Sequence, residues 1–165
     1  MSGDAFTRTC ESLDFPMTIV TAFDGRERSG CLVGFHTQCS IEPRRWLVCI
    51  SNANHTARIA AGAEWLAVHL LRADQHALAQ LFGGVTGDAL EPHEKFESCA
   101  WREGPHGTPI LAGCDWIAGR IIERFDRGGD HVAHVIEVTE SAQEHAPAPQ
   151  LGSMSVRDIQ PGHPA

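Results

Sequence analysis

The sequence has no tyrosine and few basic residues for its length of 165 residues. Lysine and arginine together number 13, against 21 aspartate and glutamate residues, which gives a formal net charge of -8. A surface that is acidic on average repels phosphate backbones and anionic lipid headgroups. The composition therefore argues against a nucleic acid or a membrane surface as partner.

Long apolar runs and paired cysteines are also absent. No stretch approaches the roughly 18 consecutive apolar residues of a transmembrane helix, and residues 1–8 lack the apolar segment and cleavage pattern of a secretory leader. The six cysteines form no Cys-x-x-Cys pair, and several lie in apolar stretches such as residues 46–50. We therefore expect a cytoplasmic protein whose cysteines are reduced, buried thiols.

Several familiar catalytic motifs are missing as well. The chain has no Gly-x-Ser-x-Gly elbow, no P-loop and no Gly-x-Gly-x-x-Gly after a strand. Ten histidines suggest a metal site, but His131 and His134 fall on opposite faces of a regular strand. Because zinc needs three or four convergent donors, we expect no metal centre.

What is present is a β-rich pattern of single-domain length. Residues 17–23 alternate and are rich in branched side chains, Asp24-Gly25 is a favoured two-residue turn, and residues 29–35 form the returning strand. Further strands are predicted at residues 46–51, 65–71, 116–125 and 131–139, and short helices at residues 57–63 and 74–82. The sequence therefore predicts a mainly β fold, an antiparallel barrel with a few short helices.

Composition divides the chain into three parts. Residues 1–14 are an N-terminal lead-in, residues 15–140 form the domain, and residues 141–165 are a tail rich in proline and glycine. We expect residues 154–159 to attach part of this tail to the domain.

Two glycines, Gly30 and Gly34, lie inside the second predicted strand. Glycine in a strand marks either a bulge or a place where another group packs against the bare backbone. The residues alone leave both alternatives open.

Residues 51–58 run from the end of a strand into the start of a helix. Hydroxyl, amide and backbone N–H groups converge there, and Arg58 lies within one turn. The stretch is either an ordinary helix cap provided by Asn54 or Thr56, or an anion site, since helix N-termini attract phosphate. Taken alone, it favours the cap.

The stretch 30–43, Gly-Cys-Leu-Val-Gly-Phe-His-Thr-Gln-Cys-Ser-Ile-Glu-Pro, resembles the flavin reductase-like family with an FMN-binding split barrel. That family has G-x-T-A-N-S-F-x-S-x-S-x-x-P at this place. Further motifs of the family follow in order at residues 47–51, 54–56, 65–70, 74–82, 95–101, 107–111 and 129–131. The resemblance covers roughly residues 15–140 and implies an antiparallel split β-barrel.

The resemblance also implies an activity and its partners. A member of this family transfers a hydride from NADH or NADPH to FMN or FAD, and supplies the reduced flavin to a monooxygenase. Split-barrel members are usually homodimers with the flavin near the subunit interface. An exposed barrel face rich in tryptophan and isoleucine would fit such a contact.

Site residues follow from the same resemblance. His131 resembles the histidine that faces the flavin and the nicotinamide, and is the candidate catalytic residue. The cofactor-binding candidates, in chain order, are Leu32, Val33, Gly34 and Phe35 beside the isoalloxazine; Gln38, Cys39 and Ser40 near the ribityl chain and phosphate; Ser51, Asn54, His55 and Thr56 at the phosphate; and Phe82 near the cofactor.

One departure from the family bears on function. Where the family has Thr-Ala-Asn-Ser, this chain has Leu32 to Phe35, so only backbone groups remain to bond the flavin ring. Val33, Gly34 and Phe35 can instead form an apolar shelf for the nicotinamide. The departure motivates a second hypothesis, a flavin-binding electron carrier or sensor without reductase activity. A third is a barrel that binds no flavin.

Overall fold

The computed structural model describes residues 3–84 and 94–162. The helices within these two stretches are α1 (Ala5–Glu11), α2 (His55–Gly62), α3 (His76–Gly83) and α4 (Glu94–Glu97). The strands are β1 (Thr18–Phe23), β2 (Arg28–Val33), β3 (His36–Ser40), β4 (Arg45–Ser51), β5 (Trp65–Leu70), β6 (Trp101–Glu103), β7 (Pro109–Leu111), β8 (Asp115–Phe125) and β9 (His131–Ala142). Single 3-10 turns lie at Pro105–Gly107 and Ser153–Val156.

One antiparallel sheet forms the body of the molecule. Its seven strands lie in the order β2-β1-β5-β8-β9-β4-β3, and β6 pairs with β7 in a separate ribbon. The two edge strands, β2 and β3, are consecutive in the chain and are joined only by Gly34 and Phe35. The sheet must therefore curl until its edges meet, and Cys49 N donates to Phe35 O at 2.9 Å beside this seam. The predicted mainly β split barrel is confirmed.

The hairpin of β1 and β2 has a longer loop than the predicted two-residue turn. Its four residues run from Asp24 to Glu27, and Gly25 has a φ of 94°. The Asp24 carboxylate accepts hydrogen bonds from the backbone N–H groups of Arg26 and Glu27, both at 2.8 Å. The side chain of Asp24 thus organises the loop, which a two-residue type I′ turn would not require.

Gly30 marks a close approach and not a bulge. The pairing of β1 with β2 runs without a register shift from Thr18 opposite Val33 to Phe23 opposite Arg28. A β-carbon on Gly30 would lie 2.8 Å from Cε1 of Phe82. The ring of Phe82 therefore packs directly on the main chain of β2.

Strand β3 is absent from the sequence prediction. Its residues are exposed or half-exposed, with no alternation between a buried and a solvated face. Helix α2 begins at His55 and not at residue 57, and α3 begins at His76 and not at residue 74. These shifts are of the size expected where helix ends are inferred from propensity.

Apolar side chains form two main clusters on either side of the sheet. One fills the barrel and includes Val20, Val48, Ile50, Leu66 and Ile136. The other lies between the outer face of the hairpin, α3 and the C-terminal segment, and includes Met17, Leu71, Phe82, Phe96 and Val156. The second cluster positions α3 and the end of the chain beside β2.

A buried histidine ties three strands together. His69 in β5 is fully buried, its Nδ1 donates to Ile19 O at 3.0 Å, and its Nε2 accepts from Leu111 N at 3.1 Å. This pattern requires the neutral ring. Burial holds the pKa of His69 down at about 4.

The segment around residues 151–156 packs onto the domain. Strand β9 extends to Ala142, so the first residues of the predicted tail belong to the sheet. Leu151 is buried; it donates its N–H to Leu71 O at 2.9 Å and accepts from Met17 N at 2.7 Å. Val156 is also buried. In contrast, α1 has no buried residue.

The thiols differ from the expectation of uniform burial. All six cysteines are free, but only Cys31 and Cys114 are buried, whereas Cys10 and Cys39 are exposed. Cysteine in this chain is therefore not always a core residue. In the described part of the chain, no helix has the length and hydrophobicity needed to cross a membrane.

Candidate functional site

A cavity of about 570 Å³ opens where the barrel seam meets α3 and the C-terminal segment. Volumes of this order are typical of small-molecule sites. Among the described residues its lining is Cys31, Leu32, Val33, Gly34, Phe35, Cys49, Ser51, Asn52, Ala53, Asn54, Phe82, Gly83, Asp130, His131, Val156, Ile159 and Pro161. The set combines five parts of the chain that are remote in sequence.

One side of the cavity is apolar because two glycines let bulky side chains approach the main chain. Gly30 admits the Phe82 ring, as described above. A β-carbon on Gly83, the last residue of α3, would lie 2.7 Å from Cδ2 of Leu32 and 3.5 Å from Cγ2 of Ile159. Leu32, Phe82 and Ile159 consequently form a continuous hydrocarbon surface.

The opposite end of the cavity is polar. Ser51 at the end of β4 is opposite His131 at the start of β9. Asn52 fixes the adjoining hairpin, since its N–H donates to Asp130 O at 2.8 Å and its Nδ2 donates to Gly129 O at 3.0 Å. These bonds hold His131 and Asp130 at the rim of the cavity.

His131 is oriented by the residue before it. Its Nδ1 donates to Asp130 Oδ1 at 2.7 Å, and its ring lies 5.1 Å from the ring of Phe35, centroid to centroid. The hydrogen bond from His131, followed by the charge of its imidazolium form, holds the pKa of Asp130 below its usual value. With Nδ1 occupied, Nε2 is the ring nitrogen that a ligand can reach.

Asn54 caps the start of α2. The Asn54 side chain accepts from Thr56 N at 3.0 Å, so Asn54 is the capping residue. Thr56 is buried and shares a 2.8 Å hydrogen bond with Ser29. His55 Nε2 donates to Glu27 Oε1 at 2.7 Å, and the guanidinium of Arg58 donates to His55 Nδ1.

The predicted phosphate residues therefore separate. Ser51 and Asn54 line the cavity, whereas Thr56 lies beneath the helix and His55 faces a carboxylate. An anion at His55 would have to displace or neighbour the negative charge of Glu27. Asn54 thus caps α2 and also lines the cavity, and Ser51 is the other predicted phosphate residue in that lining.

The residues of β3 also lie apart from the cavity lining. Gln38 and Cys39 are exposed, and Gln38 Nε2 donates to Ser40 O at 3.2 Å. Among the described residues, strand β3 pairs with β4 alone and forms one edge of the sheet. The structure thus brings together Leu32, Val33, Gly34, Phe35, Ser51, Asn54, Phe82 and His131, and leaves Gln38, Cys39, Ser40, His55 and Thr56 outside.

Sequence reasoning assigned no role to several lining residues. Asp130 belongs to the family motif at residues 129–131, Gly-Asp-His, so its place beside His131 could have been inferred. Asn52 lies between the candidates Ser51 and Asn54, so its place at the cavity could have been inferred from the stretch 51–58. Val156 and Ile159 reach the cavity only through the packing of the tail.

The cavity thiols are protonated packing groups. Burial raises the pKa of Cys31 to about 11, and burial also raises the pKa of Cys49. A thiolate nucleophile needs the opposite shift. Within residues 3–84 and 94–162 there is also no group of three or more His, Cys, Asp or Glu side chains that could hold a metal ion.

Lys95 places a buried amine behind the cavity wall. It is only 4% exposed, and its Nζ donates to Phe82 O at 3.4 Å, at the C-terminal end of α3. Burial lowers the pKa of Lys95. The carbonyl end of a helix is a favourable place for a cation.

The shape and chemistry of the cavity fit a flavin nucleotide. Leu32, Val33 and Phe82 offer apolar surface to a planar ring system, and the lack of a side chain on Gly34 exposes the main chain at the seam. Ser51 and Asn54 offer polar groups, and His131 offers Nε2, at the other end. An amphipathic ligand with an aromatic and a polar end matches this polarity.

A curled antiparallel half-barrel with a nucleotide-sized cavity at its seam defines a split-barrel protein. The chain belongs to the flavin reductase-like family, since the model of the flavin reductase like domain matches residues 11–153. This match covers most of the chain and confirms the resemblance.

Individual relatives agree with the family. The chain is 28% identical over 145 residues to the 4-hydroxyphenylacetate 3-monooxygenase reductase component of Escherichia coli, covering 85% of this chain and 83% of that protein. A flavin reductase domain protein from Arthrobacter sp. FB24 superposes with a TM-score of 0.79 at 22% identity, covering 97% and 94% of the two chains. The flavin reductase HpaC in complex with NADP+ superposes with a TM-score of 0.78 at 22% identity, over 92% and 93%. The two structures establish the common fold.

Proposed function

We propose that this protein is a flavin reductase that transfers a hydride from NADH or NADPH to FMN or FAD held in the seam cavity. The observation that carries the proposal is the Asp130–His131 pair at the polar rim of an otherwise largely apolar cavity. Membership of the flavin reductase-like family and the similarity to a monooxygenase reductase component support it.

The chain's own residues would hold the flavin in two ways. Leu32 and Phe82 would pack against the ring system, and main-chain groups at Gly34 would bond its polar edge, because no polar side chain is present between Leu32 and Phe35. Ser51 and Asn54 would donate to the ribityl and phosphate groups. Preorganised donors at the polar edge favour the reduced form, which carries more negative charge.

Bound flavin supplies a two-electron acceptor for the hydride of the dihydronicotinamide. The protein's part is to align the donor and exclude water, which an apolar shelf at Val33, Gly34 and Phe35 would do. His131 Nε2 would hydrogen-bond the incoming nicotinamide nucleotide, while Asp130 keeps the imidazole in one orientation. No proton transfer is required of His131 in this role.

A monooxygenase is the expected consumer of the reduced flavin. The relative from Escherichia coli is named as the reductase component of a monooxygenase. We place the protein in the cytoplasm, where NADH and NADPH are available. Cell fractionation that recovers the protein outside the cytoplasm would contradict this placement.

We also propose a homodimer, on a different surface from the one expected. The large apolar residues that are well exposed are phenylalanine, leucine and isoleucine, with no tryptophan among those described. Phe35 and Phe125 are 54% and 45% exposed. Phe35 is hydrogen-bonded to Cys49 in β4, and Phe125 is opposite Ala133 in β9. Cys49 and Ala133 are half-buried and are themselves paired. An isologous contact over this face would cover both rings. Light scattering that finds a monomer at micromolar concentration would remove this part of the proposal.

Anaerobic reduction tests the central proposal. Flavin-loaded protein mixed with NADH or NADPH should lose its visible flavin absorbance, and steady-state turnover should follow. His131→Ala should slow this reaction, whereas His106→Ala, an exposed histidine stacked on Trp65, should not. Tight flavin binding without NAD(P)H oxidation would identify the electron carrier or sensor instead. A protein that ignores both flavins would identify the barrel without flavin.

A further inference from the structure

The C-terminal segment supplies a wall of the seam cavity. Val156, Ile159 and Pro161 line it, although they follow the last strand of the sheet. Val156 belongs to the apolar cluster with Phe82, and Ile159 packs against the same cluster. Three lining positions thus come from a part of the chain outside the barrel.

Ile159 seals this wall against the end of α3. Its Cγ2 lies 2.9 Å from the position of a β-carbon on Gly84 and 3.5 Å from that of Gly83. The approach to Gly84 is too close for any residue with a β-carbon, whereas the distance at Gly83 is an ordinary contact. Leu32 of β2 lies 2.7 Å from the same β-carbon position of Gly83, so Ile159 packs where α3 meets β2.

The attachment of the chain changes abruptly after Val156. Before it, main-chain hydrogen bonds join Leu151 to Leu71 and Met17, and Ser153 to Phe15, at 2.7 to 2.9 Å. In residues 157–162, by contrast, no main-chain hydrogen bond to the described remainder of the domain is present; Ile159 N donates only to Val156 O, at 3.0 Å.

Within the described part of the chain, side chains alone attach the segment after Val156 to the domain. His76 Nε2 at the start of α3 donates to Asp158 Oδ1 at 2.9 Å, with the two side chains 35% and 67% exposed. Arg157 donates to Glu11 O at 2.6 Å, on the helix that has no buried residue. Solvated pairs of this kind are worth little, so the segment is a unit of low local stability.

We propose that residues 157–161 form a hinged wall that opens independently of the barrel and sets the rate at which flavin enters and leaves the cavity. The hinge is the 3-10 turn Ser153–Val156, which remains anchored. The Ile159 contact and the His76–Asp158 pair keep the wall closed. The inference rests on the proposed function and adds its regulation, namely how a flavin reductase would release its product flavin to a partner.

Flavin release tests the wall directly. Ile159→Ala removes part of a half-buried aliphatic side chain and should raise the dissociation rate of FMN about tenfold. Gly84→Ala should act in the same direction, because its β-carbon would push Ile159 away. Asp158→Ala should raise the rate about threefold, as expected for the loss of an exposed ion pair. The rates are measured by flavin fluorescence after a dilution jump.

Matched controls separate the wall from general effects of substitution. Ile41→Ala removes an isoleucine that is 81% exposed on a different surface, and Asp74→Ala removes an exposed ion pair with Arg72 near the same helix. Both should leave the FMN dissociation rate unchanged. Thermal unfolding of each variant reports whether the barrel itself is intact.

Hydrogen exchange in the flavin-free protein provides a second readout. The amide of Ile159 should exchange much faster than that of Leu151, and Asp158→Ala should accelerate Ile159 about threefold without affecting Leu151. Equal protection of the two amides, or unchanged FMN release in all three wall variants, would overturn the hinged wall. If the wild-type protein holds neither FMN nor FAD, the proposed function fails, and the release role fails with it.

Discussion

The ring of Phe82 occupies the space that a side chain on Gly30 would need. A β-carbon at Gly30 would lie 2.8 Å from Cε1 and 3.0 Å from Cδ1 of that ring. The contact joins α3 to β2 and also defines one wall of the cavity, because Phe82 lines it. The identity of a single glycine therefore fixes the position of an aromatic wall.

Gly30→Ala should displace Phe82 and loosen the cavity. Overpacking of a buried contact costs about 1–3 kcal/mol, so we expect a lower free energy of unfolding and weaker flavin binding. Urea unfolding and a flavin titration measure the two effects. Gly62→Ala is the control, since its β-carbon would be at an ordinary 3.4 Å from Asp24. Equal stability of the two variants would contradict the packing argument.

Removal of the Asp130 carboxylate should separate nicotinamide chemistry from flavin binding. In Asp130→Ala the imidazole of His131 loses the partner that fixes its Nδ1, and misorientation should slow flavin reduction by about tenfold. Flavin affinity should change far less. Asp126→Ala, in the same hairpin, should leave both unchanged. Stopped-flow reduction and equilibrium titration give the two quantities, and a large loss of affinity alone would assign Asp130 to flavin binding.

Buried histidines should make the fold sensitive to acid. Burial holds the pKa of His69 at about 4, and burial with the nearby charge of Arg124 holds that of His134 at about 4. Since an unfolded histidine titrates near 6.5, the unfolded chain binds protons that the folded chain does not. The free energy of unfolding is therefore highest above about pH 6.5 and decreases as the pH falls toward 4. The decrease due to His69 is on the order of 3 kcal/mol.

Urea unfolding as a function of pH measures this loss. His69→Gln should lower stability at neutral pH and flatten its decline in acid, whereas His145→Gln, an exposed histidine, should keep the decline of the wild type. A wild-type stability that is constant between about pH 6.5 and 4 would show that neither ring is held neutral.

The two halves of the predicted phosphate set should behave differently. Ser51→Ala should weaken flavin binding, because Ser51 lines the cavity, whereas His55→Ala should leave it within about twofold, because His55 is engaged by Glu27 and Arg58. Asn54→Ala should in addition cost about 1 kcal/mol of stability through loss of the helix cap. Isothermal titration with FMN measures the affinities. If His55→Ala weakened FMN binding strongly, His55 would belong to the phosphate site together with Ser51 and Asn54.

Sequence patterns were sufficient where local chemistry decides structure. The branched strand of β1, the apolar run of β4 and the Asn54 cap all depend on near neighbours, and each is found close to its predicted place. The family motifs also located Leu32 to Phe35 and His131 at one cavity. Local sequence preferences and the order of the family motifs were therefore enough to predict most of the fold.

Tertiary packing decided what the sequence did not reveal. Strand β3 exists because it pairs with β4, and its polar residues have no periodicity of their own. Ile159 approaches Gly84 across a large sequence separation, which no local pattern encodes. Glu27, which binds His55 from the loop between β1 and β2, is likewise remote from it in sequence.

The pairing of β4 with β9 has a consequence for how the protein assembles. Ser51 meets His131 only when two distant stretches of the chain have joined, and such non-local pairing is slow to form. The cavity is therefore complete only once this pairing has formed. A ligand of this cavity binds only the folded molecule. The free energy of unfolding of the whole chain therefore rises with the ratio of ligand concentration to dissociation constant. Flavin supply in the cell would then govern not only turnover but also the lifetime of the folded protein.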